Sequence, residues 1–239
     1  MTKKEDKKKL EQIRDENYQA ILDNMKGRAA LKQVVYKEVH QIYKEMVESL
    51  ETLSGRLRED ISGLEEVEVE LRELNPFESM LKFGSDVLIF SMHTNVFYVN
   101  PAHFIHKNAY VKEDNSRAYC GVIHVHNFLA DSIKYNRVND TGYLVARIFV
   151  NKERHFFIEG RGQFGFLFED FTNSILNKPL IDNIVELAIN HSIEFDLVAP
   201  DFENIQAISL MDKQLQFGNS GYQTDKQLGY KFSAQEEVK

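Results

Sequence analysis

YLVARIFVNKERHFFIE, residues 143–159, decides the fold class. Two runs rich in β-branched and aromatic residues, Tyr143–Val150 and Arg154–Glu159, flank Asn151-Lys152-Glu153. A tight turn over those three residues would lay the runs side by side as a hairpin. In the first run Leu144, Ala146, Ile148 and Val150 share one face by two-residue alternation, and Tyr143, Val145, Arg147 and Phe149 share the other. Asp86–Phe90 and Val96–Val99 flank His93-Thr94-Asn95 in the same manner and read as a second hairpin. Val67, Val69 and Leu71 alternate with Glu66, Glu68, Glu70 and Arg72, a half-exposed strand, and residues 118–128 form another. Successive hairpins imply an antiparallel sheet.

Helices bracket this sheet. From Gly27 to Ser62 there is no proline, and Val35, Val39, Ile42, Met46, Leu50, Leu53, Leu57 and Ile61 follow steps of three and four. That is a near-heptad seam on a helix roughly 50 Å long. Leu10, Ile13, Asn17 or Tyr18, Ile21 and Met25 make residues 5–25 amphipathic as well. Two readings of the seam stand open. It pairs with another chain as a coiled coil, or it packs within the chain, on the sheet or on residues 5–25 folded back at Gly27. Residues 166–192 read as helical, split by Pro179. Ile193–Val198 reads as a short strand and Pro200–Leu215 as a last helix, before a polar tail from Gly218. The expected fold is α+β, with a long N-terminal helix, a mainly antiparallel sheet and C-terminal helices. The divisions are 1–62 (helical, oligomerising), 63–217 (α+β body) and 218–239 (flexible tail).

Composition narrows the function. The 239 residues carry a formal net charge of −8, against the basic excess that phosphate-backbone binding leaves, so nucleic acid is not an expected partner. Residues 1–62 hold 13 Lys/Arg and 12 Asp/Glu, so the negative excess lies in the body. No apolar run is long enough for a membrane span, the N-terminus carries no secretory pattern, and one cysteine, Cys120, permits no intrachain disulfide. A cytoplasmic protein is expected.

Chemistry is sparsely signalled. On a strand, His124 and His126 of Gly121-Val122-Ile123-His124-Val125-His126-Asn127-Phe128 share a face, and two imidazoles about 6.5–7 Å apart along it can reach one ion. His93, His103, His106, His155 or Glu159 would have to complete a zinc or iron set. Gly160-Arg161-Gly162-Gln163-Phe164-Gly165 matches G-x-G-x-x-G, but the run before it looks like half of an antiparallel hairpin, whereas a dinucleotide site needs a parallel βαβ unit. The motif reads instead as a tight loop with Arg161 placed to meet an anion. Glu194, Asp196, Asp201 and Glu203 lack a following D/E-x-K, and Asp201 reads as a helix cap. Cys120 and His124 lie about 13 Å apart on an extended strand, too far to pair, so the thiol reads as buried and inert. The dense phenylalanines of 156–171 read as core. With no complete catalytic motif beside a well-formed seam, the expectation is a non-catalytic binding or regulatory module. It would self-associate as a homo-oligomer or dock a protein partner through its N-terminal helix. The alternative is a metal-dependent enzyme built on His124 and His126. Neither the cofactor nor the ligand is specified by the residues.

Overall fold

The computed structural model describes residues 3–64, 66–196, 199, 201–207 and 209–211. The polar tail from Gly218 and, of the expected last helix, residues 200, 208 and 212–215 lie outside them. A helix α1 (Lys3–Asn24) runs through a π-helical segment, Met25–Ala29, into α2 (Ala30–Asp60). The chain does not fold back at Gly27: the helical hairpin, one of the readings left open by the sequence, does not form, and the segment is one rod of roughly 85 Å. A π turn accommodates the glycine without breaking the helix.

Among the described residues seven antiparallel strands follow: β1 (Val69–Asn75), β2 (Glu78–Phe83), β3 (Asp86–Met92), β4 (Phe97–Tyr98), β5 (Tyr119–Leu129), β6 (Tyr143–Val150) and β7 (Phe156–Gly160). Their order is β1-β2-β3-β5-β6-β7, with β4 also on β5. The β6–β7 hairpin forms over the expected turn, fastened by the buried Asn151. Its Oδ1 accepts the N–H groups of Glu153 (2.9 Å) and His155 (3.0 Å), and its amide donates to Tyr110 Oη (3.0 Å). The other expected hairpin does not form. β3 pairs with β2 and β5, while Phe97 and Tyr98 pair with Cys120 and Tyr119. Short helices α3 (Ala109–Glu113) and α4 (Ala130–Lys134) lie on either side of β5 in sequence. Helix α5 (Lys178–Glu194) starts with Pro179 in its first turn, where a missing N–H is harmless, and the Asn177 side chain accepts the Leu180 N–H. Residues 166–177 are therefore not the helix their spacing suggests. A short α6 (Phe202–Ile205) ends the described elements, and the expected strand at Ile193–Val198 is instead the last turn of α5 and a non-strand stretch through Asp196, its remainder lying outside the described residues.

The seam settles on the chain's own sheet. Val35, Val39, Ile42, Met46 and Leu50 are fully buried, packed with Ile123, Val125 and Ile148 of the sheet and Ile181, Ile184 and Val185 of α5. Gly121 marks the closest approach: a Cβ there would sit 2.6 Å from Val39 Cγ2. Polar ties fix the arrangement at its margins. Arg154 pairs with Glu45 at 2.6 Å and Glu38 at 3.2 Å, and Ser49 of α2 donates to Asp182 of α5 at 2.6 Å. Tyr43 Oη meets Ser79 Oγ at 2.9 Å, and burial pushes its phenol up to about 12. The other face of the sheet is covered only in part. There residues 99–118 enclose a second core of Val99, Ile105, Val111, Cys120, Val122 and Phe149.

The two borders of the sheet differ. Edge strand β1 carries Glu70, Arg72 and Glu73. The rim of β7 is closed by the stretch after it, where Ile158 N–H donates to Phe168 O (3.2 Å) and Phe156 N–H to Ser174 O (3.2 Å).

Candidate functional site

Where residues 99–118 stop, the sheet face is open, and the two histidines lie there. Alternation along β5 turns Gly121, Ile123 and Val125 toward α2 and leaves His124 and His126 opposite, both half-buried. His124 sits between Ser91 of β3 and Arg147 of β6, and His126 between Ile89 and Leu144. The Leu144 pairing departs from strict alternation. A bulge skips Val145, so Tyr143 and Val145 join the helix-covered core with Ala146 and Ile148, and Leu144 is exposed. Phe149 and Arg147 keep the expected face.

A polar row therefore crosses the open face: Glu78, Ser91, His124, Arg147 and Glu159, each opposite the next across a strand pair. Arg147 Nε donates to Glu159 Oε2 at 2.9 Å, and a second guanidinium nitrogen also contacts that oxygen. Glu159 Oε1 lies 3.3 Å from His103 Nε2, leaving His103 Nδ1 buried without a hydrogen-bond partner. Burial lowers the His124 pKa from its ordinary value, helped by the neighbouring His126, Arg147 and His93. Burial lowers that of His126 too, opposed by Glu78. Both imidazoles are thus held toward the neutral form, which keeps ring lone pairs available to a metal or a hydrogen-bond donor.

The ring centroids of His124 and His126 stand 5.8 Å apart, inclined at 35°. Two imidazoles bound tetrahedrally to one ion, with nitrogen–metal bonds of about 2.1 Å, would bring centroids to roughly 5 Å. The rest of a ligand set is not assembled. Among the described residues no group of three His, Cys, Asp or Glu side chains is placed to hold a metal ion. His93 Nδ1 accepts the Asn95 N–H, His106 Nε2 meets Val99 O, and His155 Nδ1 meets Phe171 O. Each is engaged locally, and of the three only His93 lies near enough to His124 to help lower its pKa.

Arg161 is exposed at the start of a 3-10 turn, Gly162–Gly165, with its N–H donating to Val145 O at 3.2 Å. Packing accounts for the glycines around it. A Cβ at Gly160 would lie 2.5 Å from Phe164 Cβ and 2.8 Å from Val145 O, and Gly162 has φ +55°. Since β7 is antiparallel to β6, no βαβ unit surrounds the motif. Asp201 occupies the N-cap position of α6 but makes no side-chain capping bond. Cys120 is wholly buried, and burial alone pushes its thiol far above the usual range.

Sequence reasoning missed a groove of about 820 Å³ between β1, β2 and α4, walled by Glu68, Arg72, Lys82 and Ile133 over a floor of Met80 and Val87. The signal that would have found β2 is its bounding turns, Asn75-Pro76 and Gly84-Ser85; Gly84 has φ +55°.

No family model, no curated protein and no solved structure matches the chain. Among the described residues no helix is long and apolar enough to cross a membrane.

Proposed function

We propose that this protein is a cytoplasmic, non-catalytic binding or regulatory module that self-associates or docks a protein partner through its N-terminal helix. One observation carries the reading. The part of the seam in α2 is consumed by the chain's own sheet, whereas α1 and the first residue of the π-helical segment leave large apolar residues uncovered between Ile13 and Met25. Ile13, Tyr18, Ile21 and Met25 are 45%, 58%, 59% and 61% exposed, and between Glu11 and Asn24 only Leu22 is even partly shielded. A lone helix of this length is marginal in water, and a projecting one with an apolar side is stabilised by a partner. Size-exclusion chromatography with light scattering at micromolar concentration tests it on the full chain and on Ile21→Lys. A mass above one chain that the substitution reduces supports association through α1. A single-chain mass for both removes self-association and leaves docking of a different protein, to be read by the same substitution in a pull-down.

The second reading, a metal-dependent enzyme, is favoured by the centroid geometry of His124 and His126. Elemental mass spectrometry of untagged protein tests it. Near-stoichiometric zinc or iron, lost in the His124→Ala/His126→Ala variant, supports it, and metal-free protein that takes up no added zinc defeats it.

A further inference from the structure

Where the helical rod reaches the body, a cavity of about 690 Å³ opens between the start of α2 and strands β4 and β5, within the size range of small-molecule sites. Tyr98, Tyr119 and Leu31 give it apolar walls, and Asn115 and Ser116 a polar one. Tyr98 is tilted against Tyr119, with ring centroids 4.9 Å apart, and against His106 at 5.4 Å. These contacts fix its ring and still leave the residue 44% exposed. A fixed, accessible ring is a stacking platform for a planar aromatic group.

The rest of the lining is cationic. Arg28 and Lys32 stand four residues apart, about one helical turn, so their like charges oppose each other. No acid occupies the positions three or four residues before or after either of them; besides the pair itself these are Asn24, Met25, Ala29, Leu31, Val35 and Tyr36. Among the described residues neither cation is in an ion pair. The carboxylate nearest in sequence to Ser116, that of Asp114, accepts the Ser116 N–H and hydroxyl and is neutralised by Lys152 at 2.8 Å. In a chain of net charge −8, two cations without counterions beside an aromatic wall favour an anion that carries an aromatic ring. A smaller recess of about 360 Å³ shares Lys32 and is lined also by Gln33, Thr94 and Asn95. Their hydroxyl and amide groups can donate to further anionic oxygens. A ring at one end and several phosphate oxygens at the other match this lining better than a small aromatic acid does.

We infer that this cleft binds a nucleoside phosphate, with the base on Tyr98 and the phosphates between Arg28 and Lys32. The cleft is complete within one chain, so binding requires no association through α1. Isothermal titration of the full chain with ATP, AMP, adenosine and inorganic triphosphate tests it, on the wild type, Tyr98→Ala and Arg28→Gln/Lys32→Gln. The expected result is one ATP per chain, with AMP and then adenosine weaker. Losing the stacking ring, or the two charge-assisted contacts, should each weaken ATP roughly tenfold or more. The double variant alters only exposed side chains, so its urea midpoint should match the wild type while its ATP affinity falls. No saturable binding at millimolar ATP overturns the site. Triphosphate binding as tightly as ATP, with Tyr98→Ala silent, overturns the nucleoside. Adenosine binding as tightly as ATP overturns the role of Arg28 and Lys32, and ATP binding indifferent to both variants overturns the location.

Discussion

Gly121→Ala probes where the helical seam goes. In the structure the added methyl would lie 2.6 Å from Val39 Cγ2 and 3.0 Å from both Cβ and Cγ1 of that residue. Val39 has little room to yield, because a β-branched side chain in a helix is confined to one rotamer and this one is fully buried. Overpacking of this kind costs about 1–3 kcal/mol, and the middle of that range, about 2, is expected. Val39→Ala removes two buried methyl groups, at about 0.8 kcal/mol each plus a cavity contribution, or about 2 kcal/mol. In the double variant the smaller residue at 39 vacates the space that the new methyl needs, although its Cβ stays close. The pair is expected to lose about 2.5 kcal/mol rather than the additive 4, a coupling of about 1.5 kcal/mol. Urea unfolding of the four proteins at one fixed concentration measures this. Additive losses, or a neutral Gly121→Ala, would mean that α2 does not lie on β5 here, and would return the seam to an intermolecular role.

Three further outcomes follow from the buried polar groups. Asn151→Asp replaces an amide that donates to Tyr110 Oη and Arg117 O with a carboxylate that cannot, and is expected to cost about 3 kcal/mol; a loss under about 1 kcal/mol would contradict that turn. His124 and His126 have folded pKa values below the free value of 6.5, so between those values the unfolded chain binds more protons and stability rises with pH. Acidification from pH 6.5 should therefore destabilise the wild type more steeply than the His124→Gln/His126→Gln variant, and equal slopes would refute it. Cys120 should react with a thiol reagent only after denaturation, and prompt reaction in native protein would show the second core to be open.

Residue periodicity identifies a face but not what covers it, which is why α2 was legible as a helix while its resting place was not. Val35 to Leu50 would look the same against a sheet or a second chain. Strand β5 and the shared face of its histidines were legible because side chains alternate with period two. Arg147 and Glu159, which complete the polar row, depend on register, and register across β5–β6 turns on a bulge at Val145 that no local pattern announces. β2 escaped because Glu78 and Lys82 break up its apolar content. Phe164, Phe168 and Phe171 mimic helical spacing, yet they pack from a 3-10 turn and the non-helical stretch along β7.

The contrast between the two sheet borders bears on aggregation. Val87–Phe90 and, apart from Arg147, Ala146–Val150 are apolar and β-prone, the composition that stacks into cross-β fibres. Both are central strands with neighbours on each side, while the borders are a charged strand and a rim already hydrogen-bonded by its own chain. Fraying at β1 therefore exposes no sticky template, whereas loosening of the stretch that covers β7 bares Phe156, Phe157 and Ile158. Fibril nucleation has to wait for the central strands to separate or for the β7 rim to open, so conditions that loosen only the β1 margin should leave its rate unchanged.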